Sequence, residues 1–268
     1  MRIEKSSQLQ KMVRDQDYDR YVASLFVPAK HRCAIWALLA FNHEVAKTAE
    51  VVSEPMLGEI RLQWWHDAID EIYEGKTIRQ HDIVTPLAEV IVQYDLPRDL
   101  FDQMIDARLV DLEEKPFQTV AELLTYTEKT SANLLHLVAQ VLDVEEEGLE
   151  ALGQAYALAG IIRAMPYQLQ QNRMMAPQEM QQGLLDQQEK KKQGVLEAVK
   201  PENIKKLVEE IFIISCDHLE IKENYKLKYF RVLHKVTQNY LAQIKQKDFD
   251  IYQLHSLKTP SVMRLVFA

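Results

Sequence analysis

With 268 residues the chain is long enough to bury a substantial core, and a formal charge of −8 argues against a duplex nucleic-acid surface, which needs clustered Lys and Arg. Seven glycines and no turn signals at strand-like intervals favour helices over sheet. No signal sequence opens the chain and no uncharged apolar run reaches the roughly 18 residues of a membrane span, so a soluble or peripheral protein is expected. Cys33 and Cys216 stand singly, which fits a reducing compartment rather than a zinc or dithiol site. The histidines form no zinc-protease pair, because the fourth residue after His43 is Lys47.

Residues 1–21 are polar and charged, with Leu9, Met12 and Val13 as the apolar contacts of a short helix. Their composition is not that of a transit peptide, and a native start of this kind suits a bacterium better than an organelle. Pro28 suits a turn or a first helical position. From Ala34 to Tyr73 a helical hairpin is predicted. Its first arm stacks Ile35, Leu38, Leu39, Val45, Ala46 and Ala49, and its second carries Ile60, Trp64, Ile69 and Ile72. The arms break at Ser53-Glu54-Pro55, and Trp64 and Trp65 are read as core anchors.

A turn at Gly75-Lys76 precedes a helix over His81–Tyr94, and Pro97 opens the next segment. Asp143 to Glu150 reads as a solvated acidic connector. Leu152 to Met165 is apolar on all sides, the mark of a buried helix, and Pro166 should end or kink it. Residues 178–194, rich in Gln and Lys, read as a surface loop with one turn of helix, and Lys190, Lys191 and Lys192 as solvated. Ile204–Tyr225 and Phe230–Ile244 supply two more amphipathic helices before an apolar tail. No repeat or linker divides the chain, so residues 1–268 are read as one domain.

Four phrases carry a resemblance. Arg61-Leu62-Gln63-Trp64-Trp65-His66-Asp67-Ala68-Ile69 is similar to the RLxWWRxxL of the squalene and phytoene synthase family, and Ala40 to Glu50 lies where that family has AFxRxxDDxxDE. Asp106, Asp111, Glu122, Leu123 and Tyr126 keep the places of a third phrase, whose small-residue part is altered to Lys129-Thr130-Ser131-Ala132. Gly160 to Pro177 lies where the family reads NxLRDxxEDxxxxRxYLP.

The resemblance implies an all-α isoprenoid-synthase-like bundle around a central cavity, with Ala46 and Ala164 on facing helices. In the active enzymes four aspartates on two helices clamp magnesium while two prenyl diphosphates join head to head. Their positions here are Ala46, Glu50, Ala164 and Gln168, a single carboxylate where the ions need several. Glu44 is no replacement, since two residues on a helix are about 200° apart. The cluster should not assemble, so no residue is assigned to catalysis and neither metal nor cofactor is expected. Arg61, Trp64, Asp67, Asp106, Asp111, Tyr126, Arg163 and Tyr167 are the candidates for a residual polar site or cavity wall. The acids among them, with Asp70 and Asp102, also have the spacing of ordinary solvated faces. Met174, Met175, Leu135 and Leu137 could line an apolar channel or simply pack a core.

Within the family the phrases AFNHEVAKTAEVVSEPMLGEIRLQWWHDAIDEIY, IIRAMPY and QIKQKDFDIYQ most resemble the branch that acts in the assembly of respiratory complex I. That implies a non-catalytic assembly factor contacting complex I subunits or assembly intermediates. Its place would be cytoplasmic, peripheral on the inner face of a bacterial inner membrane, or on the matrix face in a mitochondrion. Two alternatives stay open. One is a binder of an apolar lipid or isoprenoid in the old cavity, and the other is a magnesium-dependent prenyltransferase with repositioned ligands.

Overall fold

The computed structural model describes residues 2–113, 117–182, 200–261 and 265, and among them every regular element is helical. The chain opens with α1 (Arg2–Gln16), which buries Leu9 and Val13, and α2 (Tyr18–Ser24), capped by the Asp17 carboxylate accepting from the Arg20 amide at 3.3 Å. The predicted hairpin is present as α3 (Ala29–Ala46), the short α4 (Thr48–Val51) and α5 (Pro55–Tyr73), with Pro55 starting α5 as the sequence break requires. Every side chain from Ala34 to Asn42 is buried, so α3 is a core helix over its middle. Phe41 holds Trp65 and Phe101 edge-on, each with ring centroids 5.4 Å away. Trp65 is the core anchor. Trp64 is half-buried, with the Arg79 guanidinium 4.7 Å above its ring.

Next come α6 (Val84–Tyr94) and α7 (Arg98–Asp106), which tightens into a 3-10 turn over Ala107–Leu112. The helix expected from His81 starts at Val84 because the His81 ring accepts the Ile83 and Val84 amides and so caps it from outside. Helices α8 (Val120–Thr127) and α9 (Asn133–Val141) are joined by a π-turn, Glu128–Ala132, with no interruption between them. The connector at 143–150 is exposed in part, but the Glu146 side chain is enclosed, 3.1 Å from the Lys222 ammonium.

The central helix is α10 (Leu149–Gln170), which packs on α8, α9 and the π-turn on one side and on α11 (Pro201–Glu220) and α12 (Lys228–Gln246) on the other. Gly153 lets it approach the π-turn, since a Cβ there would stand 2.5 Å from the Ala132 Cα. Of the two outcomes expected at Pro166, an end or a kink, the end does not occur, and α10 runs on to Gln170. Ile162, Met165 and Leu169, all fully buried around the proline, hold it in place despite the missing amide. Helices α11 and α12 begin at Pro201 and Lys228, a few residues before the expected starts, and α11 stops at Glu220. Of the Gln- and Lys-rich passage a single turn, Gln178–Gln181, is described; Lys190, Lys191 and Lys192 lie outside the described residues.

A candidate cavity between α3 and α10

A cavity of about 460 Å³ lies between α3 and α10 and takes in all four positions where the aspartates were sought: Ala46, Glu50, Ala164 and Gln168. The facing arrangement of Ala46 and Ala164 follows from α3 and α10 each turning that residue inward. One wall is made of small or apolar side chains, Ala46, Ala157, Ile161, Ala164 and Met175, with Gly160 between them. The opposite side is charged. Its groups come from the start of α2 (Asp17, Arg20), the 3-10 turn (Arg108, Asp111), α8 and the π-turn (Tyr126, Thr130, Ser131) and the stretch after α10 (Arg173).

These groups are largely bound to one another. Asp111, 8% exposed, accepts the Tyr126 hydroxyl at 2.9 and 3.0 Å and the Arg108 guanidinium at 3.3 Å. The same Arg108 nitrogen donates to the Tyr126 hydroxyl at 2.5 Å, and Arg173 donates to the Asp111 carbonyl. Arg20 donates to Asp17 at 3.0 Å and lies over the Tyr156 ring, 4.6 Å from its centroid. Burial opposes charge on Arg20, yet Asp17 and the Tyr156 and Tyr229 phenols outweigh it and raise the pKa. Burial raises Tyr126 and Tyr156, so both phenols stay protonated. His43 is pushed down by burial and then by Lys47, and is neutral near pH 7.

Of the eight candidates for a residual polar site, Asp111 and Tyr126 join the four motif positions at the cavity, and the other six do not line it. Arg61 pairs with Glu44 at 2.7 Å, and Asp67 accepts from Gln63 at 2.9 Å on the surface of α5. Asp106 accepts from His66 at 2.8 Å, Arg163 reaches Asp19 at 3.3 Å, and Tyr167 is 57% exposed. Helical rotation explains this. Leu62, Trp65 and Ile69 take the core side of α5 and leave Arg61, Trp64 and Asp67 off it, while Arg163 is a step of about 100° from Ala164. Met175 lines the cavity, but Met174, Leu135 and Leu137 are packed in the core. Sequence reasoning missed Asp17, Arg20, His43, Arg108 and Arg173. The altered phrase Thr130-Ser131 was noticed, and the π-turn is what aims it inward.

The donor set does not fit a magnesium cluster. Magnesium needs carboxylate oxygens free to coordinate. Asp17 and Asp111 are tied to arginines, Glu50 is exposed at the rim, and the guanidiniums of Arg20, Arg108 and Arg173 line the interior. Among the described residues no three His, Cys, Asp or Glu side chains converge as a metal site.

Known structures share this architecture. A dehydrosqualene synthase superposes with a TM-score of 0.73 at 15% identity, over 98% of this chain and 94% of that one. A squalene synthase from Alicyclobacillus acidocaldarius gives 0.70 at 14% identity, over 92% and 95%. Among curated proteins, complex I assembly factor 6 of Bos taurus is 27% identical over 255 residues, 90% of this chain and 74% of the bovine protein. The squalene/phytoene synthase family model matches residues 13–262, and with nearly the whole chain inside that match the protein belongs to this family.

Proposed function

We propose that this chain is a non-catalytic member of its family that serves as an assembly factor for respiratory complex I. The observation that carries the reading is the cavity. The four positions that would clamp magnesium converge on it with one exposed carboxylate, while Arg20 and Arg108 bring charge of the opposite sign inside. Without the ion cluster there is nothing to draw diphosphate from an allylic carbon, so prenyl transfer is not the activity. The relatives named as assembly factor 6 support the alternative role over most of both chains.

The contact surface in this reading is apolar. Met56, Leu57 and Ile60 share one exposed face of α5, beside exposed Val51 on α4 and Leu109 on the 3-10 turn, elements that pack on one another. No described helix is long and apolar enough to cross a membrane, and in this reading the contact is a peripheral one at the inner face of the membrane. Deleting the gene in its own host tests the role. Loss of assembled complex I and NADH-dependent respiration, with unchanged squalene and carotenoid products, is expected. Normal complex I with a missing isoprenoid would overturn it.

A further inference from the structure

Among the described residues, buried side-chain polar atoms that lack a hydrogen-bond partner gather at the cavity. Of the nine such atoms, four belong to residues that line it, Arg20 Nε, Arg108 Nε, Ser131 Oγ and Gln168 Oε1, while the other five are scattered over the rest of the described residues. Such atoms are rare in folded proteins and mark a place where a partner belongs. Three of the four can donate, and they arrive from three separate elements: α2, the 3-10 turn and the π-turn.

The charge points the same way. Arg20 is matched by Asp17 and Arg108 by Asp111, but no described carboxylate pairs with Arg173. Three guanidiniums therefore face two carboxylates inside, and Glu50 is out at the rim. A guanidinium carries five N–H groups, and Arg108 spends one nitrogen on Asp111 and Tyr126 while its Nε–H stays unspent. Donors converging from several directions suit a tetrahedral oxyanion better than a flat carboxylate. Gln168 Oε1, the unspent acceptor, suits a phosphate oxygen that keeps its proton.

We propose that the cavity binds a phosphate group directly on Arg20, Arg108 and Ser131, without a divalent cation. Anything attached to the phosphate runs along the small-residue wall of Ala46, Ala157, Gly160 and Ala164. The ligand class is thus a phosphate, free or heading a small amphiphile. This site does not depend on the assembly role, and either can fail alone.

Calorimetric titration of the full chain in EDTA tests the site with three probes: inorganic phosphate, dihexanoyl phosphatidic acid below its micelle concentration, and dihexanoylglycerol. Both phosphate probes should saturate one site, and the phosphate-free lipid should not bind. A phosphatidic acid affinity more than about tenfold above that of phosphate assigns a lipid headgroup, and equal affinities assign a soluble phosphate. Arg20→Gln and Arg108→Gln should each weaken binding by about tenfold or more. Where those variants do not fold, two milder ones decide. Ser131→Ala should weaken binding several-fold, and Gly160→Leu should exclude phosphatidic acid, since a Cβ at Gly160 meets nothing within 4 Å and the fold has room for it. No saturable binding, binding that appears only with added magnesium, or unchanged affinity in folded Ser131→Ala and Gly160→Leu would overturn the proposal.

Discussion

Asp19 shows how much a single buried carboxylate can hold. Only 6% exposed, it accepts the Tyr240 hydroxyl at 3.0 Å, the Thr259 hydroxyl at 2.6 Å and the Arg163 guanidinium at 3.3 Å, while Arg163 also stacks 3.7 Å from the Tyr240 ring centroid. Asp19→Ala leaves Tyr240 and Thr259 only each other, 2.8 Å apart, and takes the carboxylate from Arg163, and a loss of about 3–5 kcal/mol in urea unfolding is expected. Thr259→Val removes one neutral donor and should cost about 1 kcal/mol. Histidines set a second expectation. His43 and His234 are lowered from 6.5 chiefly by burial, so each takes its proton more readily when unfolded than when folded. Their contribution is therefore complete above pH 6.5 and lost as pH falls from there through the folded values. The urea midpoint should be flat above neutrality and decline on the acid side, less steeply in His234→Gln.

At the level of the helix, α10 offers opposite outcomes from the same change. Gly153→Ala drives a methyl to 2.5 Å from the Ala132 backbone and should destabilise by about 1–3 kcal/mol, whereas Gly160→Ala meets open space and should stabilise by about 0.5–1 kcal/mol. Chemical denaturation of both variants checks the pair. Apolar spacing made α3 and α12 legible, since burial and helical period coincide there, but on α5 it set Ile60 and Trp64 on the core face, where the structure buries Leu62 and Trp65 and leaves Ile60 60% exposed. The aspartate positions were found because the motif around them survives on facing helices. Arg20 and Arg108 were not found, because a lone arginine in an amphipathic helix reads as surface, and nothing local tells that its guanidinium turns inward. Sequence left the end and the kink at Pro166 undecided for a related reason. The local cost of the proline is visible in sequence, but the tertiary packing of Ile162, Met165 and Leu169 that outweighs it is not. The π-turn that presents Ser131 has no sequence signature of its own.

For the molecule as a whole, the exposed apolar face of α5 separates folding from function. Met56→Asp with Ile60→Asp should leave stability within about 0.5 kcal/mol per site, because both side chains are already in water, yet fail to restore complex I when returned to the deleted host. Full restoration would show that the contact is made elsewhere. The bonds of Asp19 also bear on how the chain is made. They span 144 residues to Arg163, 221 to Tyr240 and 240 to Thr259, so two of the three partners of Asp19 are made long after it. At a synthesis rate of about 5–20 residues per second, roughly 10–50 s pass between the emergence of Asp19 and that of its last partner. For that interval α1 and α2 carry an acid they cannot yet bury, and the nascent chain is left open on the side that Tyr240 and Thr259 later close. A ribosome-stalled chain ending before residue 240 should accordingly be cut by protease within α1 and α2, while the released full-length protein resists.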